Sequence, residues 1–361
     1  MTERRHPEKG NVGHRNVEDS PTERWYAQHE HPELEHAEQG YAEQGHTEQG
    51  YAEHGHAADP LPVDPHQLPT PSGVAAVLRH LGLSPRKALG QNFLVDRNIV
   101  AKILDAAQLT PEDTVLEIGP GLGVLTWELA RRARAVVAVE LDAGLMRWLR
   151  ELFAGQANVR LVHGDALTVD LAGLLAAHPP GPGGSAKVLA NLPYYITSPL
   201  LMRLLEEELP ISLAVVMVQK EVARRLLARP GTKDYGALSV AVQLRAQVEI
   251  VAPVPPGVFF PPPEVESAVV RLTLRPLPEE VEDAAFFSAV VRAAFAQRRK
   301  MLRNALQSGA GLWDKDAVPA ALADAGIDGG RRGETLSVAE FVRLSAVLRR
   351  FPAQPETSNN R

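Results

Sequence analysis

The chain contains no cysteine. Disulfide frameworks, thiolate metal sites and cysteine nucleophiles are therefore excluded. No window approaches ~18 uninterrupted apolar residues, the length of a helical membrane span, so no membrane partner is expected. The opening MTERRHPEKG has charges but no apolar core behind them. A secretory signal is therefore not expected, and a cytoplasmic protein is.

Apolar residues are also locally scarce. Residues 1–72 almost lack Ile, Val, Leu and Phe and are rich in Glu, His, Gln, Gly and Pro. Such a segment buries too little apolar surface to offset the entropy of ordering its backbone, which predicts a disordered extension over 1–72. Within it runs a five-residue repeat, HAEQG, YAEQG, HTEQG, YAEHG (36–55), and nine of the 12 histidines fall in the extension. Histidine-rich tracts can bind metal. The repeat has no fixed ligand geometry, so a solvated extension without metal is the expectation. A second short disordered tail is expected at 353–361.

The charge follows the same division. Residues 1–72 carry 5 Lys and Arg against 14 Asp and Glu, a net of −9, out of whole-chain totals of 38 and 44. The remaining residues carry 33 against 30, a net of +3. The overall −6 thus describes neither part and does not argue against a nucleic-acid partner.

Folded sequence begins near Val74, and short β-rich runs then alternate with helical ones. Strands are predicted at 114–118, 135–140, 159–162, 187–190 and 213–218, with helices between them at 125–133, 143–153, 171–177 and 199–208. Runs such as TVLEI and AVVAV suit strands buried on both faces, so the pattern predicts a parallel α/β sheet. Late strands are expected at 248–252 and 267–274, joined by a Pro-rich loop. From about Pro278 the apolar spacing is helical throughout. This predicts an α/β domain over 73–277 and a small helical domain over 278–352, whose last helix starts at a Ser337-x-x-Glu340 capping box.

The chemistry-bearing residues cluster at predicted strand ends. The first strand runs into Glu117-Ile118-Gly119-Pro120-Gly121-Leu122-Gly123, the second ends at Glu140, and the third leads into Gly164-Asp165. Open α/β sheets bind ligands at these carboxyl ends. Glycines let a ligand approach the backbone, Glu140 suits two ribose hydroxyls, and Asp165 suits an adenine edge. The spacing is G-x-G-x-G with an acid two residues before it. A pyrophosphate disfavours a nearby carboxylate. S-adenosylmethionine, which carries an ammonium and a sulfonium, therefore fits better than NAD, the competing reading. The bland readings are a solvated turn carboxylate for Glu117 and a turn residue for Asp165.

The fourth strand ends in Asn191-Leu192-Pro193-Tyr194. An exocyclic adenine amine is a poor nucleophile because its lone pair is delocalised into the ring. Two acceptors on its N–H bonds, the Asn191 side-chain oxygen and a main-chain carbonyl near Leu192, would localise it. Pro193 stiffens the loop and Tyr194 offers a stacking face for an everted base. Gln91-Asn92-Phe93-Leu94 would close over the cofactor. Phe259 or Phe260 would present a second aromatic to the base, or else fill an interface between domains.

Taken together, GQNFL (90–94), LEIGPGLGVLT (116–126), VVAVELD (136–142), GDAL (164–167), NLPYYI (191–196), FFPPPEVES (259–267) and ETLSVAEFVRLS (334–345) resemble the KsgA-type small-subunit (16S) ribosomal RNA adenine N6-dimethyltransferase family. The likeness covers about residues 73–352, in the family's order. It implies a class I, Rossmann-like methyltransferase sheet with a helical C-terminal domain. It implies dimethylation of N6 on two adjacent adenosines in the 3′-terminal hairpin of 16S rRNA during small-subunit assembly, by a monomer, with S-adenosylmethionine as donor and no metal. The resemblance places cofactor binding on Asn92, Leu94, Gly119, Glu140, Asp165 and Asn191. It places catalysis on Asn191, Leu192, Pro193 and Tyr194, with Phe259 on the target side. The basic run holding Arg298, Arg299, Lys300 and Arg303 is expected to meet RNA phosphates. Arg86-Lys87, Arg224-Arg225 and Arg331-Arg332 are further candidates, each matched by the reading of an ordinary solvated surface. Three alternatives stand beside this one: a large-subunit RNA dimethylase of the erythromycin-resistance group, an assembly factor that mainly binds immature 30S subunits, and an NAD-dependent oxidoreductase.

Overall fold

The computed structural model describes residues 64–86, 89–207, 209–309 and 311–353. The expectations placed on 1–63, the histidine repeat included, and on 354–361 lie outside the described residues, as does that on Lys87.

Ordered structure starts earlier than the predicted boundary at residue 72. Asp64 caps a 3₁₀ turn at Pro65–Gln67 by accepting the His66 N–H at 2.9 Å. Thr70 caps helix α1 (Pro71–Leu81), accepting the Gly73 N–H at 3.0 Å, with Pro71 at the first helical position. Leu68 is fully buried in a cluster with Val74, Val77 and Trp148. One leucine in a Pro-rich stretch carries no period, so pattern reading places the residue in the extension.

The predicted α/β sheet is present. Its strands are β2 (Thr114–Ile118), β3 (Ala135–Glu140), β4 (Val159–His163), β5 (Ala186–Asn191), β6 (Ile211–Gln219), β7 (Ala246–Val254) and β9 (Ser267–Leu274), in the order β4-β3-β2-β5-β6-β9-β7. The strands from β2 to β6 run parallel, β9 is antiparallel to them, and β7, antiparallel to β9, ends that edge in the same direction as β2 to β6. Between β2 and β5 the strand order reverses, and because β2, β3 and β5 run parallel their carboxyl ends share one rim.

The core follows the two-residue period of buried strands. Leu213, Val215 and Met217 of β6 enter one cluster with α2 (Arg97–Ala107) and α3 (Val124–Ala130). The alternate Ala214, Val216 and Val218 are buried on the other face. Asp96 starts α2 by accepting the Ile99 N–H, and Asp142 starts α4 (Ala143–Leu152) by accepting those of Gly144 and Leu145. Helices α5 (Leu171–Ala177), α6 (Thr197–Glu206), α7 (Lys220–Leu227) and α8 (Ala237–Arg245) follow in turn.

The C-terminal helices are α9 (Ala284–Ala296), α10 (Leu302–Gln307), α11 (Val318–Asp324) and α12 (Val338–Leu348). The expected capping box is formed: Ser337 Oγ accepts the Glu340 N–H and Glu340 Oε2 accepts the Ser337 N–H at 2.8 Å. These helices share their apolar cluster with Tyr235, Val240 and Leu244. Their core thus reaches back across residue 277.

Candidate active site

Three glycines make the turn after β2. Gly119, Gly121 and Gly123 have φ of 68°, 60° and 83°, a region costly to residues with a Cβ. A Cβ at Gly123 would lie 3.0 Å from Leu152 and Phe153, and one at Gly121 would lie 3.3 Å from Phe93. At Gly119 the nearest atom would be Pro193 Cδ at 3.8 Å, so that side of the loop faces the Asn191 turn with room to spare.

Glu140 closes the loop from the end of β3. Its Oε2 accepts the Gly121 N–H at 3.2 Å and its Oε1 the Asp142 N–H at 2.8 Å. Burial pushes its pKa up to about 7 against the pull of these amides. Glu117 is 2% exposed, and its Oε2 has no hydrogen-bond partner. Burial, aided by the neighbouring Glu140, raises its pKa to about 8. Thr126 pulls the other way, although its hydroxyl completes no hydrogen bond either. A buried carboxyl oxygen that faces a cavity without a protein partner can take a cation or a hydrogen-bond donor.

The segment before the sheet closes the other wall. Gln91 Nε2 donates to Asp142 Oδ2 at 3.1 Å, while its Oε1 accepts the Arg86 N–H at 2.9 Å. Arg86 also reaches Asp142 at 3.4 Å. Strand β1 (Phe93–Leu94) pairs antiparallel with β8 (Phe259–Phe260), matching Phe93 with Phe260 and Leu94 with Phe259. Phe93 and Leu94 are both buried, as the core reading expects, and both line the cavity.

The Asn191 turn completes the rim. Asn191 Nδ2 donates to the Asn92 carbonyl at 3.1 Å, which leaves Oδ1 as the atom free to accept. The Leu192 N–H is taken by the Met217 carbonyl at 3.2 Å. The Pro193 carbonyl accepts from the Ile196 N–H and the Thr197 hydroxyl. Among the described residues the Leu192 carbonyl carries no such bond. Tyr194 is held by its hydroxyl, 2.7 Å from Ser267 Oγ, and burial raises its pKa. Glu117, Gly119, Glu140, Asn92, Leu94, Asn191, Pro193 and Tyr194 surround one cavity with about 930 Å³ of empty space, part of it open to solvent.

Two expected residues stand apart from that cavity. Asp165 accepts the Leu167 N–H at 2.8 Å, the turn role that was its bland reading, and does not line the cavity. Phe259 is 4% exposed and lies in the cluster with Leu94, Met217 and Val254. Pairing with Leu94 turns it into the sheet's core, so in this structure it presents no face to a base. Asp142 and Ser267 were not singled out from the sequence, and Arg86 only as a candidate contact to RNA. Asp142 carries a helix-start signal, but its grip on Gln91 is a contact across 51 residues that no local pattern reveals.

The basic run links α9 to α10 and is exposed at Arg298, Arg299, Lys300 and Arg303. Arg298 donates to the Lys233 carbonyl at 2.7 Å and lies 3.6 Å from Glu334. Of the other candidates, Arg331 is spent on Glu340, which holds that carboxyl down at about 2.

A glycine loop, a ribose-type acid and an Asn-Pro-Tyr turn on the rim of this sheet define a class I S-adenosylmethionine-dependent methyltransferase fold. A family model described as ribosomal RNA adenine dimethylase matches residues 82–349. The chain belongs to that family. It is 54% identical over 286 residues to the ribosomal RNA small subunit methyltransferase A of Moorella thermoacetica, covering 77% of this chain and 98% of the relative. It is 50% identical to the protein of that name from Geobacillus thermodenitrificans, covering 77% and 96%. Among solved structures it is similar to a dimethyladenosine transferase from Plasmodium falciparum, with TM-score 0.58, 26% identity and coverage of 70% and 95%. It is also similar to the 23S rRNA methyltransferase ErmE, with TM-score 0.50, 33% identity and coverage of 71% and 99%.

Proposed function

We infer that the chain dimethylates N6 of two adjacent adenosines in the 3′-terminal hairpin of 16S rRNA, working in the cytoplasm as a monomer on assembling small subunits. The observation that carries this reading is the Asn191 amide, fixed by the Asn92 carbonyl so that its oxygen faces the cavity beside the glycine loop.

The residues present fit S-adenosylmethionine. Glu117 offers an unpartnered carboxyl to a cationic ligand, Glu140 offers two oxygens to a diol, and Asn92, Leu94 and Gly119 complete the wall. When bound, that donor supplies an electrophilic methyl on a sulfonium. The rest is done by the chain. Asn191 Oδ1 and the Leu192 carbonyl accept the two N–H bonds of the target amine, localise its lone pair and stabilise the positive charge that grows on nitrogen. Tyr194, braced by Ser267, holds the base flat, and Pro193 keeps the turn from relaxing. The amine loses its proton to water after attack, so no general base is required. Asp165 keeps Oδ1 on its turn hydrogen bond and offers Oδ2 to the cofactor's adenine edge, and Phe259 supports the wall from behind. Arg298, Arg299, Lys300 and Arg303 meet phosphates of the RNA. Residues 278–352 act as the small helical domain that carries part of this surface.

Tritiated-methyl transfer onto 30S particles lacking the modification, followed by nucleoside analysis, tests the reading. N6,N6-dimethyladenosine in 16S rRNA is expected. Label in large-subunit RNA instead would assign the chain to the ErmE-like specificity.

A further inference from the structure

A wide groove lies away from the rim. It holds about 2170 Å³ of empty space, counting open solvent, between the outer strand β7 and helix α12. Ala246 and Val248 of β7 and Val342 and Ala346 of α12 form apolar walls. Arg229, Arg275, Arg343 and Arg350 stand along them, against only Asp324 and Glu280.

Arg229, Arg343 and Arg350 are not spent elsewhere, whereas Arg275 is. Arg275 caps the end of α8 by donating to the Leu244 carbonyl at 3.1 Å. Arg229, Arg343 and Arg350 are exposed, and among the described residues none has an acidic partner within ion-pair distance. Arg343 lies on α12 and Arg350 just past its end at Leu348, and both line the groove. A planar guanidinium on an apolar wall is suited to a phosphodiester, which it meets through paired N–H donors.

The groove's place follows from strand register. It borders the start of β7 and the end of β9, where Ala246 pairs with Leu274. That end of β9 pairs with Leu213 near the start of β6, whereas the rim lies by Met217 beside Asn191. Groove and rim are therefore separated by about 15–20 Å along the strands, at ~3.3 Å per residue. A ligand that fills both must be a polymer.

The geometry points to a second RNA seat: the groove between β7 and α12 holds the sugar-phosphate backbone of an rRNA segment distant from the methylated hairpin. This rests on the proposed rRNA substrate and adds a contact that sets which RNA is preferred. A short hairpin engages the rim alone, and a long folded RNA engages both.

The test is the variant Arg229→Gln/Arg343→Gln/Arg350→Gln in the full chain, with folding checked by thermal unfolding. Binding is measured against salt for a minimal 3′-terminal hairpin, protein-free full-length 16S rRNA and 30S particles. Affinity for the full-length RNA is expected to fall about tenfold, with a salt slope reduced by about 2–3. Hairpin affinity and hairpin methylation should be unchanged. An unchanged slope on full-length RNA overturns the proposal, as does an equal loss on the hairpin. A loss confined to particles also overturns it, because the occupant is then a ribosomal protein. Failure of the enzymatic reading is seen separately, as absence of methylation by the unaltered protein.

Discussion

At the scale of single residues the site divides into groups that accept and groups that are held ready to ionise. Asn191 belongs to the first kind, and its amide orientation is set by one carbonyl. Asn191→Ala should leave particle binding intact and lower single-turnover methyl transfer by about 10²–10³-fold, the usual effect of losing one oriented dipole. Glu117 and Glu140 belong to the second kind. Their folded-state values, about 8 and about 7, lie above the ordinary 4.5. The folded protein thus holds protons that the unfolded chain has lost. The resulting stabilisation is complete below about 4.5 and disappears as pH rises through 7 and 8, so the free protein should melt lower at pH 8 than at pH 5. A cationic donor reverses the preference, since it favours the Glu117 carboxylate. Its binding should release protons near pH 7 and tighten as pH approaches about 8. Calorimetry in buffers of different ionisation enthalpy measures the release, and Glu117→Gln should reduce it. Release of equal size from that variant would remove Glu117 from the role. Glu117, Glu140 and Asn191 were legible in the sequence because each ends a strand in a recognisable motif. What they touch was not: Asn191 and Asn92 are 99 residues apart.

At the scale of elements, the strands and helices of the sheet were readable from their periods because each buries a regular face. Pieces held by distant partners were not. β1 and β8 are two residues long and stable only as each other's edge, too short for any period to show. The sequence alone leaves Phe259 either facing a base or filling an interface between domains, and its register with Leu94 puts it in the core of the sheet. The glycine turn shows two uses of one residue type. Gly123→Ala combines a φ of 83° with contacts at 3.0 Å, so it should cost about 2–3 kcal/mol in urea unfolding. Gly119→Ala meets nothing closer than 3.8 Å, so it should cost about 1 kcal/mol and weaken donor binding more than stability. At the opposite end of β2 and β5, Lys187 Nζ lies 2.8 Å from Asp113 Oδ2 and both are buried. Burial pushes the Asp113 carboxyl up, but Lys187 and the amides of Thr110 and Ser185 outweigh it and leave it below the usual value. Lys187→Met removes the cation and strands a buried carboxylate, which should cost about 3 kcal/mol by the same measurement. A loss within ±0.5 kcal/mol, the ordinary surface range, would show the pair to be dispensable.

At the scale of the whole molecule, the sequence suggested a seam at residue 277, where strand periods give way to helical ones. The change of period is real, yet packing does not stop there. Tyr235, Val240 and Leu244 precede the seam and are buried with Phe341, Trp313 and Leu336 beyond it. Tyr235 meets Phe295 edge-on with ring centres 6.0 Å apart, and Phe295 lies tilted against Phe341 at 5.8 Å. Period reports only how an element presents its own apolar face, and says nothing of which element receives it. A chain ending at residue 277 would expose that face of α8, and each large side chain uncovered forfeits about 1.5–3 kcal/mol. Residues 64–277 alone should therefore bind a hydrophobic dye and lack a cooperative melting transition, whereas residues 64–353 should unfold in one. The rim residues all lie within the shorter piece, so its failure would be one of stability rather than of missing chemistry. Donor added at high concentration distinguishes the two, because a ligand that binds only the folded state pulls the equilibrium back toward it. If residues 64–277 melt cooperatively without donor, the seam is a true domain boundary and the shared cluster contributes little.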